Sequence, residues 1–136
     1  MSAGVHAFES RLTELDRFRG LVSEFISSEL NEIEKNRVIL ALDEAFVNII
    51  AHGYADSPDG LIELTMEKNA EGLVFVLMDR APLFDPTKSE GPDLDEHAAS
   101  GKNHGLGIHL YSTIMKAAHS PRPDGGNILK LSRAAS

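Results

Sequence analysis

The feature that most constrains this chain is a pair of strand-like stretches set close together. "LIELTMEK" (61–68) and "LVFVLMD" (73–79) read as strands, and "NAEG" between them is dense in turn formers, so they predict an antiparallel hairpin. A hairpin needs cover for one face, and two helical stripes upstream can supply it. The first is expected from about Ser10 to Leu30, with Leu12, Leu15, Phe18, Val22, Phe25 and Ile26 at helical spacing. The second is expected from about Glu34 to His52, where Val38, Leu42, Ala45 and Ile49 form one stripe, widened by Ile39, Phe46 and Ile50. Residues 3–9 read as a short leading strand. Near the other end, "GLGIHLYSTIMKAA" (105–118) restores helical spacing through Leu106, Leu110, Ile114 and Met115, before "SPRPDGG" turns into a last strand, "NILKLS". The order predicts an α+β fold, a two-layer sandwich with helices on one face of a mostly antiparallel, mixed sheet. No internal repeat or second core is visible, so residues 1–136 are expected to form one domain.

Composition narrows the function classes. The chain has 13 Lys and Arg against 21 Asp and Glu, a net charge of -8, and no basic cluster, which argues against direct nucleic-acid or anionic-membrane binding. It contains no cysteine, which removes disulfides, thiolate catalysis and cysteine-zinc sites. "MSAGVHAFES" lacks the basic start and apolar run of a secretion signal, and no stretch of 18 apolar residues occurs; the expected location is cytoplasmic.

Three stretches carry candidate chemistry. In "LDEAFVNIIAHGY" the polar residues Glu44, Asn48 and His52 recur every four residues on an otherwise apolar helix, which sets them along one side of it. A carboxylate there can serve as general base, a carboxamide oxygen suits a hard cation such as Mg²⁺, and a histidine can contact phosphate; a solvated or hydrogen-bonded stripe explains the same residues without chemistry. In "HGLGIHL", Gly105 and Gly107 open a helix, where backbone N–H groups and the helix dipole attract anions, although paired glycines there are also common in plain turns. In "VLMDRAPLFDP", Asp79 ends an apolar strand, where a carboxylate has value as an acceptor for an amino group; it is equally at home as an ordinary turn residue. Residues 80–104 lack periodic apolar residues and make a connection longer than compact domains usually carry, the mark of a functional or mobile loop. The six histidines form no metal-binding pattern, and neither a P-loop, a dinucleotide fingerprint nor a nucleophile elbow is present.

In order and separation, "EAFVNIIAHGY", "DRAPLFDP", "HGLGIHL" and "GGNILKLS" resemble the GHKL ATPase superfamily, with its Bergerat fold, and within it the small anti-sigma-factor serine/threonine kinases. The resemblance covers nearly the whole chain. It implies that Glu44 is the base that takes a proton from the attacking hydroxyl, that Asn48 holds Mg²⁺ on the ATP phosphates, and that His52 lies near the site. It implies that Asp79 accepts the adenine amino group, that Gly105, Leu106 and Gly107 present backbone to the phosphates with added charge from Lys102 and His104, and that Asn127 helps hold the adenine. Residues 86–104 would be the ATP lid. The chain departs from the family at Asp79-Arg80-Ala81, where Asp-x-Gly is usual. The methyl of Ala81 is tolerated if its φ is negative. The activity implied is ATP- and Mg²⁺-dependent phosphorylation of a STAS-domain anti-sigma factor antagonist by a homodimer that also binds a sigma factor. The alternative is a non-catalytic module of the same fold that binds nucleotide and sequesters a regulatory partner, a reading that the Ala81 departure favours. A stand-alone ATPase or histidine-kinase fragment fits less well, because neither dimerisation helices with a phospho-accepting His nor a transducer domain is present.

Overall fold

The strand period sets the core. A computed structural model describes residues 2–27, 30–70, 72–82 and 115–134. In β2 (Leu61–Asn69), Ile62, Leu64 and Met66 are buried and alternate with the more exposed Glu63, Thr65 and Glu67. In β3 (Gly72–Asp79) the inward series is Leu73, Phe75 and Leu77, and period 2 carries it one step further to Asp79. β5 (Asn127–Ala134) repeats the device, with Leu129 and Leu131 inward and Asn127 at the start of the same series. Two polar side chains are thus placed on the core side of the sheet by register alone.

Among the described residues one five-stranded antiparallel sheet has the order β1-β2-β3-β5-β4. The expected hairpin is β2–β3, running from Ile62↔Asp79 to Asn69↔Gly72. β1 (Ser2–Glu9) lies at one edge, and its pairing with β2 slips between Ser2 and Val5, where Gly4 has φ +80°. β4 (Lys116–Pro121) forms the other edge. Among the described residues two α-helices cover the inward face. α1 (Leu15–Ile26) buries Phe18, Val22 and Ile26; α2 (Glu32–Asn48) buries Val38, Ala41, Leu42, Ala45 and Phe46. Phe8, Phe18 and Phe46 meet at centroid distances of 4.5–5.6 Å, and Phe25 meets Phe75 edge-on at 6.1 Å, which ties α1 to β3. Phe8, Phe18, Phe46 and Phe75 are fully buried, and each such ring contributes roughly 1.5–3 kcal/mol through burial. No described helix is long and apolar enough to cross a membrane.

The helix limits differ from expectation for identifiable reasons. Ser10 does not begin a helix because it is committed to the turn before β2. Its backbone N–H donates to Gly60 O (3.0 Å), its Oγ accepts from Gly60 N (2.9 Å), and its hydroxyl also donates to the carbonyl of Ser57. Regular α1 starts only at Leu15, after a 3₁₀ turn over Leu12–Glu14. α2 begins two residues early because the Asn31 side chain accepts from Glu34 N at 2.9 Å, an N-cap. It ends at Asn48, not His52: Ile49–Gly53 is a π turn, with Tyr54 N donating to Ile49 O (2.9 Å) and Asp56 N to Ile50 O (2.8 Å). Ala55 (φ 50°) and Asp56 (φ 65°) then reverse the chain in left-handed geometry. The expected helix through Ala118 is corrected at its end: Lys116–Ala118 belong to β4, where Ala117 packs on the core and the register Ala118↔Lys130 pairs the segment with β5.

Candidate functional site

The site grows from the end of the sheet where β3 and β5 finish and start. Asp79 and Asn127 are register partners, both 4% exposed and both on the core-facing side. Asn127 Nδ2 donates to Asp79 Oδ1 at 2.9 Å, and Ala81 N donates to the same oxygen at 2.9 Å. The Asn127 amide also lies 3.4 Å from Ala81 O and 3.2 Å from Pro82 O, so it pins the strand exit as well as the carboxylate. Both donors fall on Oδ1, and no donor among the described residues engages Oδ2. A buried carboxylate with one saturated and one open oxygen is an acceptor for a single N–H group of a ligand. Burial pushes the Asp79 carboxyl above the usual aspartate range, opposed by the Asn127 and Ala81 hydrogen bonds and by the charge of Arg122.

Backbone packing brings the strand exit after this carboxylate against the π turn that follows α2. A Cβ placed on Gly53 would sit 3.2 Å from the Ala81 methyl, so the π turn and the residues after β3 are in direct contact. Tyr54 fastens the junction. Its hydroxyl donates to Leu61 O (2.6 Å) and accepts from Arg80 N (2.8 Å), while its ring fills the space beside Gly60, where a Cβ would lie 2.6 Å from it. On the β5 side, Gly126 has φ +117°, and a Cβ there would fall 2.0 Å from Asp79 O, so only glycine lets β5 start this close to β3. Next to this junction a depression of about 580 Å³ is lined by Arg80, Ala81, Pro82, Arg122 and Asp124 among others. Its arginines are ion-paired: Arg80 with Asp124 at 3.1 Å, and Arg122 with Asp124 at 3.5 Å and with Glu63 at 3.6 Å.

The residues expected on α2 divide. Asn48 is 4% exposed, and its Nδ2 has no hydrogen-bond partner among the described residues, an orphaned buried group that a ligand or its hydration shell can satisfy. Glu44, one turn earlier, is half-buried. The straight line expected for Glu44, Asn48 and His52 holds only as far as Asn48. The π turn puts more residues into each turn, so His52 falls out of line, and it is exposed. Ala81 is 2% exposed and is not among the non-glycine residues with positive φ, Ala55 and Asp56, so its methyl causes no backbone strain. Lys102, His104, Gly105, Leu106, Gly107 and the expected lid at 86–104 lie outside the described residues.

Sequence reasoning missed His119, whose Nε2 is 2.8 Å from Asn127 Oδ1, and the clamp role of Tyr54. Nothing in "KAAHSP" marks His119, because its position depends on the pairing of β4 with β5. Gly126 was findable: a double glycine just before a strand signals close backbone approach. Among the described residues no group of three or more His, Cys, Asp or Glu could hold a metal ion.

An antiparallel sheet covered by helices, with a buried carboxylate at the sheet end and the π turn after α2 packed against the strand exit beside it, defines an α+β domain with one candidate ligand site. The chain belongs to the histidine kinase-like ATPase domain family, which matches residues 8–133. It is similar to an anti-sigma F factor from Clostridium beijerinckii, 29% identical over 91 residues, or 62% of this chain and 59% of that protein. In fold it is similar to the histidine kinase domain of a blue-light activated histidine kinase from Erythrobacter litoralis, with a TM-score of 0.58 and 13% identity over 90% of this chain and 60% of that one. Each match therefore reaches less than two thirds of the relative's own length.

Proposed function

We propose that the chain is an ATP- and Mg²⁺-dependent protein serine/threonine kinase that acts as an anti-sigma factor, phosphorylating a STAS-domain antagonist and working as a homodimer in the cytoplasm. The observation that carries the reading is the Asp79 carboxylate: buried, braced on Oδ1 by Asn127 and Ala81 N, and with no donor on Oδ2 among the described residues. That oxygen suits the exocyclic amino group of adenine and opposes a carbonyl oxygen at the same place. Family membership and the likeness to an anti-sigma F factor support the same reading.

Mg²⁺ usually keeps several waters and takes few protein ligands, so the side-chain oxygen of one buried residue, Asn48, is a ligand of the right kind, while its orphaned Nδ2 can donate to a phosphate oxygen or a metal-bound water. When bound, Mg²⁺–ATP supplies a phosphoryl group whose charge the metal offsets. Asn48 would hold the metal through its carboxamide oxygen, and Glu44, one turn away on α2, would accept the proton of the attacking hydroxyl. Asp79 and Asn127 would fix the base and exclude water from it. The phosphate contacts are assigned to Gly105, Leu106 and Gly107, with Lys102 and His104, under a lid at 86–104. The non-catalytic alternative draws no support from Ala81, whose φ is unstrained.

Calorimetric titration tests the binding half: millimolar Mg²⁺–ATP should bind wild type and bind Asn48→Ala or Asp79→Asn at least tenfold more weakly. Absence of binding to wild type would end the proposal. Incubation with a STAS-domain protein from the same genome, read on a phosphate-affinity gel, tests transfer. Binding without transfer to any such protein would favour the non-catalytic module.

A further inference from the structure

We propose that His119 is a positioning residue that sets the purine preference of the site, acting through Asn127 to keep Asp79 an acceptor toward the base. This rests on the nucleotide-binding reading above. The Asn127 carboxamide sits between two demands of opposite kind. On the β3 side it faces three oxygens, Asp79 Oδ1 at 2.9 Å, Ala81 O at 3.4 Å and Pro82 O at 3.2 Å, so its Nδ2 must point there. Its Oδ1 then points the other way, 4% exposed as a residue, and requires a donor, which His119 Nε2 provides at 2.8 Å. The polarity of the chain follows without choice: His119 Nε2–H donates to Asn127 Oδ1, and Asn127 Nδ2–H donates to Asp79 Oδ1. A histidine with its only proton on Nδ1 would set a lone pair against the Asn127 oxygen.

The consequence reaches the ligand. Hydrogen bonds in series polarise one another, so a donor on Asn127 Oδ1 makes its amide a stronger donor to Asp79. Two N–H donors on Oδ1 hold the carboxyl as the anion and leave Oδ2 as a pure acceptor. The anion accepts from a 6-amino purine and repels a 6-oxo purine; a carboxyl that gains a proton on Oδ2 instead donates, and its preference reverses. His119 belongs to β4 and Asp79 to β3, with β5 between them, so the preference is set from two strands away from the base.

The test uses the full chain with His119→Leu, which removes the donor, and His119→Gln, whose amide N–H can replace it. Affinities for Mg²⁺–ATP and Mg²⁺–GTP are measured by competition against a fluorescent ATP analogue, and the tautomer of His119 in nucleotide-free wild type is read from two-bond ¹H–¹⁵N couplings. The expected result is an Nε2–H tautomer, a five- to twentyfold loss of ATP affinity in His119→Leu with less than twofold change for GTP, and recovery of at least half of that loss, on a logarithmic scale, in His119→Gln. Equal losses for ATP and GTP, an unchanged ATP-to-GTP ratio, or no recovery in His119→Gln would overturn it. So would an Nδ1–H tautomer, which needs no variant and no ligand. Wild type that binds neither nucleotide overturns the nucleotide reading and the purine role with it, whereas a contrary tautomer in protein that binds ATP overturns the role of His119 alone.

Discussion

Replacing Gly126 with alanine should be among the most damaging single-methyl additions this fold can suffer. An alanine Cβ would sit 2.0 Å from Asp79 O, 2.8 Å from Arg80 Cα and 2.9 Å from Asp79 C. All three are backbone atoms of the neighbouring strand exit, so no side chain can swing aside. The native φ of +117° is itself costly for an L-residue, about 1–3 kcal/mol. Relieving the clash requires the ends of β3 and β5 to part at the Asp79↔Asn127 pair, with loss of the Asn127–Asp79 bond and its neighbours at roughly 1 kcal/mol each. The sum is about 3–5 kcal/mol, a large share of the roughly 5–15 kcal/mol by which domains are stable. At roughly 3–5 °C per kcal/mol for a chain of this size, the midpoint of thermal unfolding should fall by about 10–20 °C. Two controls separate the contributions. Gly125 has φ +98° but nothing within 4 Å of its missing Cβ, so Gly125→Ala should show the conformational cost alone, about 1–3 kcal/mol. Gly20 lies exposed in α1 with open space around it, and Gly20→Ala should stabilise by about 0.5–1 kcal/mol. Melting followed by circular dichroism on the three variants decides the matter. If Gly126→Ala melts within 3 °C of Gly125→Ala, the close approach of β5 to the Asp79 carbonyl is wrong.

Three further outcomes are expected. Ala81→Gly should lower stability by about 1–2 kcal/mol and leave ATP affinity flat or lower, because Ala81 fills the space beside Gly53 in an unstrained conformation; a fivefold gain in affinity by calorimetry would contradict this. Glu44→Gln should retain nucleotide binding while phosphate transfer drops about 10²- to 10⁴-fold, and unchanged transfer in a single-turnover assay removes Glu44 as the base. Burial raises the folded-state pKa of Asp79 above its unfolded value, so the stability linked to it is full below about pH 3.9 and is lost as pH rises through the raised folded value. Asp79→Asn removes that loss, and its melting temperature should gain on wild type between pH 4 and pH 7 even as nucleotide affinity falls; a constant difference across that range refutes the buried, ionising carboxylate.

Much of the architecture was legible because burial and period coincide. Ile62, Leu64 and Met66 alternate with polar residues, and Phe18, Val22 and Ile26 recur at one helical face, so β2 and α1 follow from residue type. β4 was hidden because Lys, Ala, Ser and Pro have little strand preference, and only β5 makes a strand of them. The π turn was hidden because widening a helix by one residue leaves no mark in composition, yet it moves His52 out of line with Asn48. At the site, Asp79 was visible as an acid ending an apolar strand, and Asn127 through the family resemblance. Their contact was not visible, because it depends on a register between residues 48 apart.

Among the described residues the sheet ends in two edge strands, β1 and β4, and these bear on what else this chain can adhere to. An unpaired strand edge is a template on which another chain can add itself, and long flat edges seed aggregation. Here β1 is broken by its slip between Ser2 and Val5, with Gly4 turned into a backbone conformation that other residues avoid. β4 is only six residues long, begins with a lysine, and ends at Pro121, which offers no N–H. Among the described residues neither edge strand is a long, regular template for a stranger. Straightening β1 by deleting Gly4 would remove one of these guards, and fibre formation on storage, rather than loss of folding, is the failure it invites.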